Sequence, residues 1–127
     1  LRALLNYGHT FGHAIEVGMG FGTYLHGEAV AVGMLIAAFV SNKTNKGLSE
    51  EDVSRIQAIL PKYKLPYVSP DKLTGEDYIK FMRHDKKVKA GVINYVIPKP
   101  IGEAYVAKDL ADDTIIKLIE EFKQRFN

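Results

Sequence analysis

The sequence predicts an all-α, multihelical fold with one small β-hairpin. Apolar residues recur at helical spacing in segments bounded by glycine, proline and capping residues, and these segments cover most of the chain. β-Branched and aromatic residues cluster only near residues 92–107, which favours two short strands there. With 127 residues, of which 46% are hydrophobic and 25% charged, the chain is expected to form one globular domain with its own core.

The first two helices are predicted at residues 2–19 and 26–42. A series of glycines that starts at Gly18 ends the first one, because glycine favours a turn of the chain. The second is apolar nearly all round, which is typical of a buried helix at the centre of a helical domain. Gly47 is expected to end it.

Three further helices are predicted from their starting signals. Ser49, followed by three acidic residues, begins a third helix, and Pro61 and Pro66 bracket its end and the loop after it. Thr74 with Asp77 forms a capping box for the fourth. Asp112 or Asp113 is expected to cap the last one. The residues predicted to face inward in these helices are Val53, Ile56, Ile59, Leu60, Tyr78, Ile79, Phe81, Met82, Ile115, Ile116, Ile119, Phe122 and Phe126.

The hairpin is predicted from residues 92–97 and 104–107, which are β-branched and aromatic. Pro98, Pro100 and Gly102 lie between these two runs and are expected to form the connecting turn.

Composition excludes several classes of protein. The formal net charge of +2 is too small to indicate binding to nucleic acid. The absence of cysteine excludes a disulfide framework and a thiolate metal site, and suits a cytoplasmic protein. Neither a membrane span nor a signal peptide is visible. Because the chain begins at Leu1, inside an amphipathic segment, we expect it to be a piece of a longer protein.

The main chemical signal is a concentration of histidines near the start of the chain. His9 and His13 are four residues apart on a predicted helix, so they share a face that Asn6 and Arg2 extend. Imidazole is a common ligand of zinc, and a catalytic zinc takes about three protein ligands. Either His9 with His13, or one of them with His26, could supply two. The alternative is that these are ordinary surface or core histidines.

Glycines are unusually dense in and after the first helix. They are Gly8, Gly12, Gly18, Gly20 and Gly22. Since glycine lowers helix stability, this density indicates a close approach of the backbone by another segment or by a ligand. It is not a dinucleotide-binding fingerprint, because no strand precedes it.

A short charged run, Asp85-Lys86-Lys87, follows the fourth predicted helix. It is either a solvated surface or a place where one lysine reaches a phosphate or a carboxylate.

Three motifs together resemble the signature of the 3-dehydroquinate synthases. They are LLNYGHTFGHAIE at residues 4–16, LHGEAVAVGM at 25–34 and DKKV at 85–88, and a hairpin containing Ile101-Gly102 follows in the expected order. The resemblance covers essentially the whole chain. It implies that residues 1–127 are a carboxy-terminal helical domain that binds metal and substrate. It also implies an amino-terminal, Rossmann-like, NAD-binding domain that this chain lacks, and a homodimeric cytoplasmic enzyme.

The resemblance also implies an activity. The family are phosphorus–oxygen lyases that convert 3-deoxy-D-arabino-heptulosonate 7-phosphate to 3-dehydroquinate and phosphate, in the shikimate pathway of aromatic amino acid biosynthesis. NAD transiently oxidises the substrate, and Zn²⁺ or Co²⁺ is the metal. Without its NAD-binding domain, this chain alone is expected to be inactive.

The resemblance assigns roles to individual residues. His9 and His26 match the two histidine ligands of the metal, whereas the third ligand is a glutamate of the other domain and is neither Glu16 nor Glu28. His13 and Lys86 match catalytic positions, with Lys87 as the alternative lysine. The residues that match substrate-binding positions are Arg2, Leu5, Asn6, His9, His13, Lys86 and Lys87.

Tyr7 departs from the family pattern, which has leucine more often at that position. Related cyclases that make carbasugar precursors tolerate tyrosine there but replace the residue that matches Asn6. Other interpretations are another sugar-phosphate cyclase, a polyol dehydrogenase of the same architecture, or a non-catalytic helical interaction module.

Overall fold

The computed structural model describes residues 9–20, 24–44, 47–83, 93, 95–99, 103–107 and 110–127. In this part of the chain, the elements are α1 (His9–Met19), α2 (His26–Lys43), α3 (Glu50–Lys62), α4 (Gly75–Arg83), β1 (Tyr95–Lys99), β2 (Glu103–Ala107) and α5 (Asp112–Phe126). The predicted fold class, all-α with a small hairpin, is confirmed. Residues 2–8 of the first predicted helix lie outside the described residues.

Helix α2 is the centre of the fold, as its sequence predicts. Buried residues follow one another along it from Ala29 to Ser41, and α1, α3, α5 and β1 pack against it. The helix ends at Lys43, before Gly47, and the N–H and the hydroxyl of the capping residue Thr44 both donate to the carbonyl of Val40, at 2.9 and 2.7 Å. In the described ranges, no helix combines the length and the apolarity that crossing a membrane requires.

The helix starts predicted at Ser49 and Thr74 are confirmed, and each forms a capping box. At the start of α3 the N–H of Asp52 donates to the Ser49 hydroxyl, and the N–H of Ser49 donates to the Asp52 carboxylate, each at 3.1 Å. Thr74 and Asp77 exchange the same two bonds at 3.0 and 3.1 Å at the start of α4. Each box satisfies two backbone donors that a helix start otherwise leaves unpaired.

The predicted cap of α5 is wrong. Ala111 occupies the capping position and makes no side-chain bond, and the helix begins at Asp112. The carboxylate of Asp112 instead accepts a hydrogen bond from the Arg83 guanidinium at 2.6 Å, which ties α5 to the end of α4. A contact from a distant helix has therefore replaced the local interaction.

The end of α3 lies between Pro61 and Pro66, as predicted. Pro61 is inside the helix, which continues to Lys62 and closes with Lys64 in the left-handed region at φ 58°. The N–H of Leu65 donates to the Leu60 carbonyl and that of Lys64 to the Pro61 carbonyl, both at 2.9 Å. These two bonds are those of a Schellman motif.

The predicted hairpin forms, but its first strand spans Tyr95–Lys99 and not residues 92–97. β1 and β2 are antiparallel, and their register pairs Tyr95 with Ala107 and Lys99 with Glu103. Pro98 lies within β1, paired with Ala104, and not in the turn as predicted. Proline is acceptable in a two-stranded sheet because each strand has an edge where its missing N–H is not required.

The inward faces of α3, α4 and α5 are largely those predicted. Ile115, Ile119 and Phe122 are fully buried, and Phe126 packs against them from a partly buried position. Ile59 is the exception, since 48% of it is exposed. It lies about one helical step of 100° from Leu60, off the face that packs against α2.

Candidate functional site

Helices α1 and α2 approach each other closely at Gly12. A Cβ atom added there would lie 3.1 Å from the carbonyl oxygen of Ala29 and 3.2 Å from the Cα of Val30. Both are backbone atoms, so a side chain at this position would push the helices apart. Of the two explanations for the glycine density, the structure supports close packing of another segment at Gly12.

The rings of His9 and His26 meet next to this contact. His9 lies three residues before Gly12, and His26, the first residue of α2, lies three residues before Ala29. The ring centroids are 5.5 Å apart and the ring planes are at 85°. Two imidazoles on one tetrahedral zinc, with Zn–N of about 2.0–2.1 Å, have centroids roughly 5 Å apart. The observed pair therefore fits two ligands of one metal ion.

Glu16 holds the other side of the His26 ring. Its Oε1 lies 2.9 Å from Nδ1 of His26, and the two side chains are 17% and 65% exposed. A carboxylate can only accept a hydrogen bond, so Nδ1 is the donor and carries the hydrogen. Nε2 of the neutral ring then keeps the lone pair that a metal ion needs.

The second glutamate nearby, Glu28, has a different partner. Its Oε1 accepts a hydrogen bond from the N–H of Leu25 at 2.9 Å, which caps the start of α2. Within the ranges that the structure describes, no three histidine, aspartate or glutamate side chains are grouped to hold a metal ion. Among the described residues, the candidate site therefore consists of the His9–His26 ring pair and the Glu16 carboxylate bonded to it.

Tyr24 lies just before the start of α2. Burial raises the pKa of its hydroxyl, and the negative charges of Glu28 and Asp71 raise that pKa further. The phenol therefore stays neutral and remains a hydrogen-bond donor beside the first turn of α2.

The remaining predicted site residues are only partly covered by the structure. His13 lies on α1 one turn after His9 and is half-buried. The others lie outside the described residues, so their roles stay predictions. They are Arg2, Leu5, Asn6, Lys86 and Lys87.

The partner of His26 is the feature that the sequence reasoning missed. Glu16 follows His9 by seven residues, which is two helical turns and places both on one face of α1. That spacing was an available signal. It does not predict the bond by itself, because His26 is on another helix and reaches Glu16 only through the close contact at Gly12.

Comparisons with known proteins agree with these motifs. The family model described as 3-dehydroquinate synthase C-terminal matches residues 1–88. The 3-dehydroquinate synthase of Pseudoalteromonas translucida is 47% identical over 95% of this chain and 34% of its own length. That of Haemophilus ducreyi is 46% identical over 97% of this chain and 34% of its own. The chain thus spans about a third of the length of these curated relatives.

Solved structures give the same fold. A 2-epi-5-epi-valiolone synthase from Streptomyces hygroscopicus, with NAD⁺ and Zn²⁺ bound, superposes with a TM-score of 0.81. The match covers 95% of this chain and 33% of the length of that protein. Because the two sequences are only 21% identical, this likeness supports the fold alone. A 2-deoxy-scyllo-inosose synthase, complexed with carbaglucose-6-phosphate, NAD⁺ and Co²⁺, has a TM-score of 0.76 and is 30% identical over 92% of this chain and 34% of its own.

Proposed function

The chain belongs to the 3-dehydroquinate synthase C-terminal family, and from that premise we propose that it is the metal- and substrate-binding domain of a 3-dehydroquinate synthase. The proposed enzyme is a lyase that converts 3-deoxy-D-arabino-heptulosonate 7-phosphate to 3-dehydroquinate and phosphate. The observation that carries the proposal is the His9–His26 ring pair, at 5.5 Å, inside the stretch that the family model matches.

His9 and His26 are the proposed metal ligands, with a third ligand from a domain that this chain does not contain. Zn²⁺ or Co²⁺ held there would supply a Lewis acid that polarises substrate oxygens. The Co²⁺ in the 30% identical 2-deoxy-scyllo-inosose synthase supports this choice. The exposed position of His26 supports it as well, since a ligand must be open to the arriving ion.

The substrate contacts proposed for this chain follow from the chemistry of each side chain. Arg2 suits the substrate carboxylate through two parallel hydrogen bonds. Asn6 and Lys86, or Lys87 in its place, hold the phosphate as donor and compact cation. His13 moves a proton on the phosphate side, because imidazole titrates near neutral pH.

The complete enzyme is proposed to contain a second, NAD-binding domain and to form a homodimer. The curated relatives are about three times as long as this chain, and the 30% identical 2-deoxy-scyllo-inosose synthase has NAD⁺ bound. These findings support a cofactor that is held mainly outside the described helices.

Phosphate release by the complete gene product, with NAD and zinc present, tests the proposal. Two substrates are compared: 3-deoxy-D-arabino-heptulosonate 7-phosphate, which carries a carboxylate, and sedoheptulose 7-phosphate, which does not. We expect release from the first alone, because Arg2 recognises the carboxylate.

The other outcomes are informative. Release from sedoheptulose 7-phosphate alone would assign the chain to a carbasugar cyclase and would leave the proposed metal ligands unchanged. No release from either substrate, with zinc bound and NAD present, would reject both activities.

A further inference from the structure

We propose that Glu16 is a positioning residue that orients His26 for metal binding and is not itself a ligand. The inference rests on the proposed function, because it requires His26 to bind a metal ion. It goes further by assigning a role to a carboxylate that the motif comparison leaves without one.

The geometry separates the two sides of the His26 ring. Oε1 of Glu16 lies 2.9 Å from Nδ1 of His26. The two nitrogens of an imidazole point in widely different directions, so an oxygen bonded to Nδ1 cannot also contact an ion at Nε2. The bond fixes the ring orientation and the position of the ring hydrogen, which are the two properties that an outer carboxylate controls in many metal sites.

Stability does not explain the pair. His26 is 65% exposed at the first turn of α2, and a contact with so exposed a side chain, even if it were a full ion pair, contributes only about 0–1 kcal/mol to folding. Glu16, in contrast, is largely covered, with 17% of its side chain exposed. A largely buried carboxylate is therefore used to hold a solvent-facing imidazole in one orientation.

The close contact of α1 and α2 makes this possible. Gly12 brings the start of α2 against α1, and Glu16 lies one turn after Gly12 on that helix. His26 is consequently in contact with His9 through its ring and with Glu16 through Nδ1. The arrangement holds the ring on two sides before any metal arrives.

The experiment measures metal affinity in the complete gene product by competition with a chelator, using Zn²⁺ and Co²⁺. Glu16→Ala removes the hydrogen bond and is expected to weaken the affinity for both metals by about 10- to 100-fold. Glu16→Gln keeps an oxygen that accepts from Nδ1, so it should restore affinity to within about fivefold of the original protein, since a neutral acceptor is the weaker one. Glu51→Ala is the matched control, because it removes an exposed glutamate that pairs with Arg55 at 2.8 Å and should change neither affinity.

The absorption spectrum of the Co²⁺-loaded protein tells positioning from ligation. A positioning role predicts the same ligand-field bands in the original protein and in Glu16→Gln, because the atoms on the metal are unchanged. If Glu16→Gln shifts these bands and binds as weakly as Glu16→Ala, Glu16 is a direct ligand and the inference is overturned. Affinity of Glu16→Ala within twofold of the original protein overturns it as well.

The variant His9→Ala tells a failure of the proposed metal site from a failure of the role proposed for Glu16. If the original protein binds metal and His9→Ala binds it equally well, the proposed metal site is wrong. If His9→Ala loses the metal while Glu16→Ala retains full affinity, the metal site stands and only the role of Glu16 fails.

Discussion

Two regions of the molecule use polar side chains to join segments that are far apart in sequence, but they do so with different results. In the histidine site, formed by His9, Glu16 and His26, the bonds end at a solvent-exposed ring. In the second region, which we call the clasp, residues 69–75 are held by α4 and α5, and the bonds end mainly at backbone groups.

The clasp begins at Ser69. Its N–H donates to the side-chain oxygen of Asn127 at 3.2 Å, and its carbonyl accepts from the Asn127 amide at 2.8 Å. Its hydroxyl is bonded to the buried hydroxyl of Tyr78 at 2.6 Å. The residue is 1% exposed, and each of these three groups has a partner.

The clasp continues along α5. The ammonium of Lys123 donates to the Leu73 carbonyl at 2.7 Å, and the Glu120 carboxylate accepts from the N–H of Gly75 at 2.6 Å. These side chains satisfy a backbone carbonyl of the irregular segment before α4 and the N–H of Gly75, the first residue of α4. The bonds of the clasp thus join protein groups only to one another, as in a structural network. In the histidine site, by contrast, the bonded His26 ring is exposed to solvent.

The largest difference is expected from His26→Ala. In the complete protein it should weaken Zn²⁺ binding by at least about 1,000-fold, or about 4 kcal/mol, because one of few ligands is lost. In the 127-residue chain it should change the free energy of unfolding by less than about 0.5 kcal/mol, since the side chain is exposed. Chelator competition and urea unfolding followed by circular dichroism measure the two. If His26→Ala lowered the stability and still bound Zn²⁺, the histidine site would have a structural role and not the metal-binding role assigned to it.

Gly75→Ala is expected to lower the free energy of unfolding and to leave the Zn²⁺ affinity unchanged, the opposite of His26→Ala. A Cβ atom there would lie 2.6 Å from the carbonyl oxygen of Ile116 and 3.0 Å from its Cα, both in the backbone of α5. The clasp must open to accept it, at a cost of about 1–3 kcal/mol of unfolding free energy. Zn²⁺ affinity should stay within twofold.

A second glycine provides the control for this substitution. Gly27 is exposed in α2, and a Cβ atom added there meets nothing within 4 Å. Gly27→Ala should therefore leave the stability of the chain unchanged or raise it by up to about 1 kcal/mol. Equal losses in both variants would mean that the contact with Ile116 does not set the effect, because helix propensity alone predicts a gain.

The sequence predicts most of what is local in this fold. Capping boxes such as Ser49 with Asp52 are set by residues three apart, and the all-apolar surface of α2 predicts its burial wherever its neighbours lie. The same reasoning failed for Asp112, because its bond to Arg83 spans 29 residues. The clasp is unpredictable for the same reason, since Ser69 and Asn127 are 58 residues apart.

The histidine site likewise has one part that the sequence predicts and one part that only the packing of the helices gives. The motifs around His9 and His26 mark both histidines as metal ligands from sequence, through resemblance to a family. The bond between Glu16 and His26 depends on how closely α1 and α2 cross, which is set by packing at Gly12. Sequence spacing places Glu16 on the correct face of its helix but does not supply that distance.

The smallest effects are expected from two buried tyrosines, only one of which belongs to the clasp. The Tyr78 hydroxyl is bonded to Ser69, whereas the Tyr95 hydroxyl is buried without a partner among the residues that the structure describes. At neutral pH, Tyr78→Phe should therefore lose about 1 kcal/mol of unfolding free energy, because the Ser69 hydroxyl stays buried and loses a bond. Tyr95→Phe should lose none or gain up to about 1 kcal/mol.

Unfolding at alkaline pH provides a second comparison of Tyr78→Phe and Tyr95→Phe. Burial raises the pKa of both tyrosines above the ordinary value of 10.0. A group that holds its proton more tightly when folded stabilises the protein fully below the unfolded pKa and loses that contribution as pH rises. The free energy of unfolding should thus fall above about pH 10, with up to about 1.4 kcal/mol per pH unit from each tyrosine.

Urea unfolding between pH 8 and 11.5 measures that slope. Each phenylalanine variant should remove one tyrosine's share of it, and the double variant should remove both. The two single variants should thus differ at neutral pH and have the same slope at alkaline pH, because the hydrogen bond to Ser69 distinguishes the tyrosines while burial is common to both. If Tyr95→Phe kept the full slope, the Tyr95 hydroxyl would have to reach solvent, and the contrast between a closed clasp and an unpaired buried phenol would not hold.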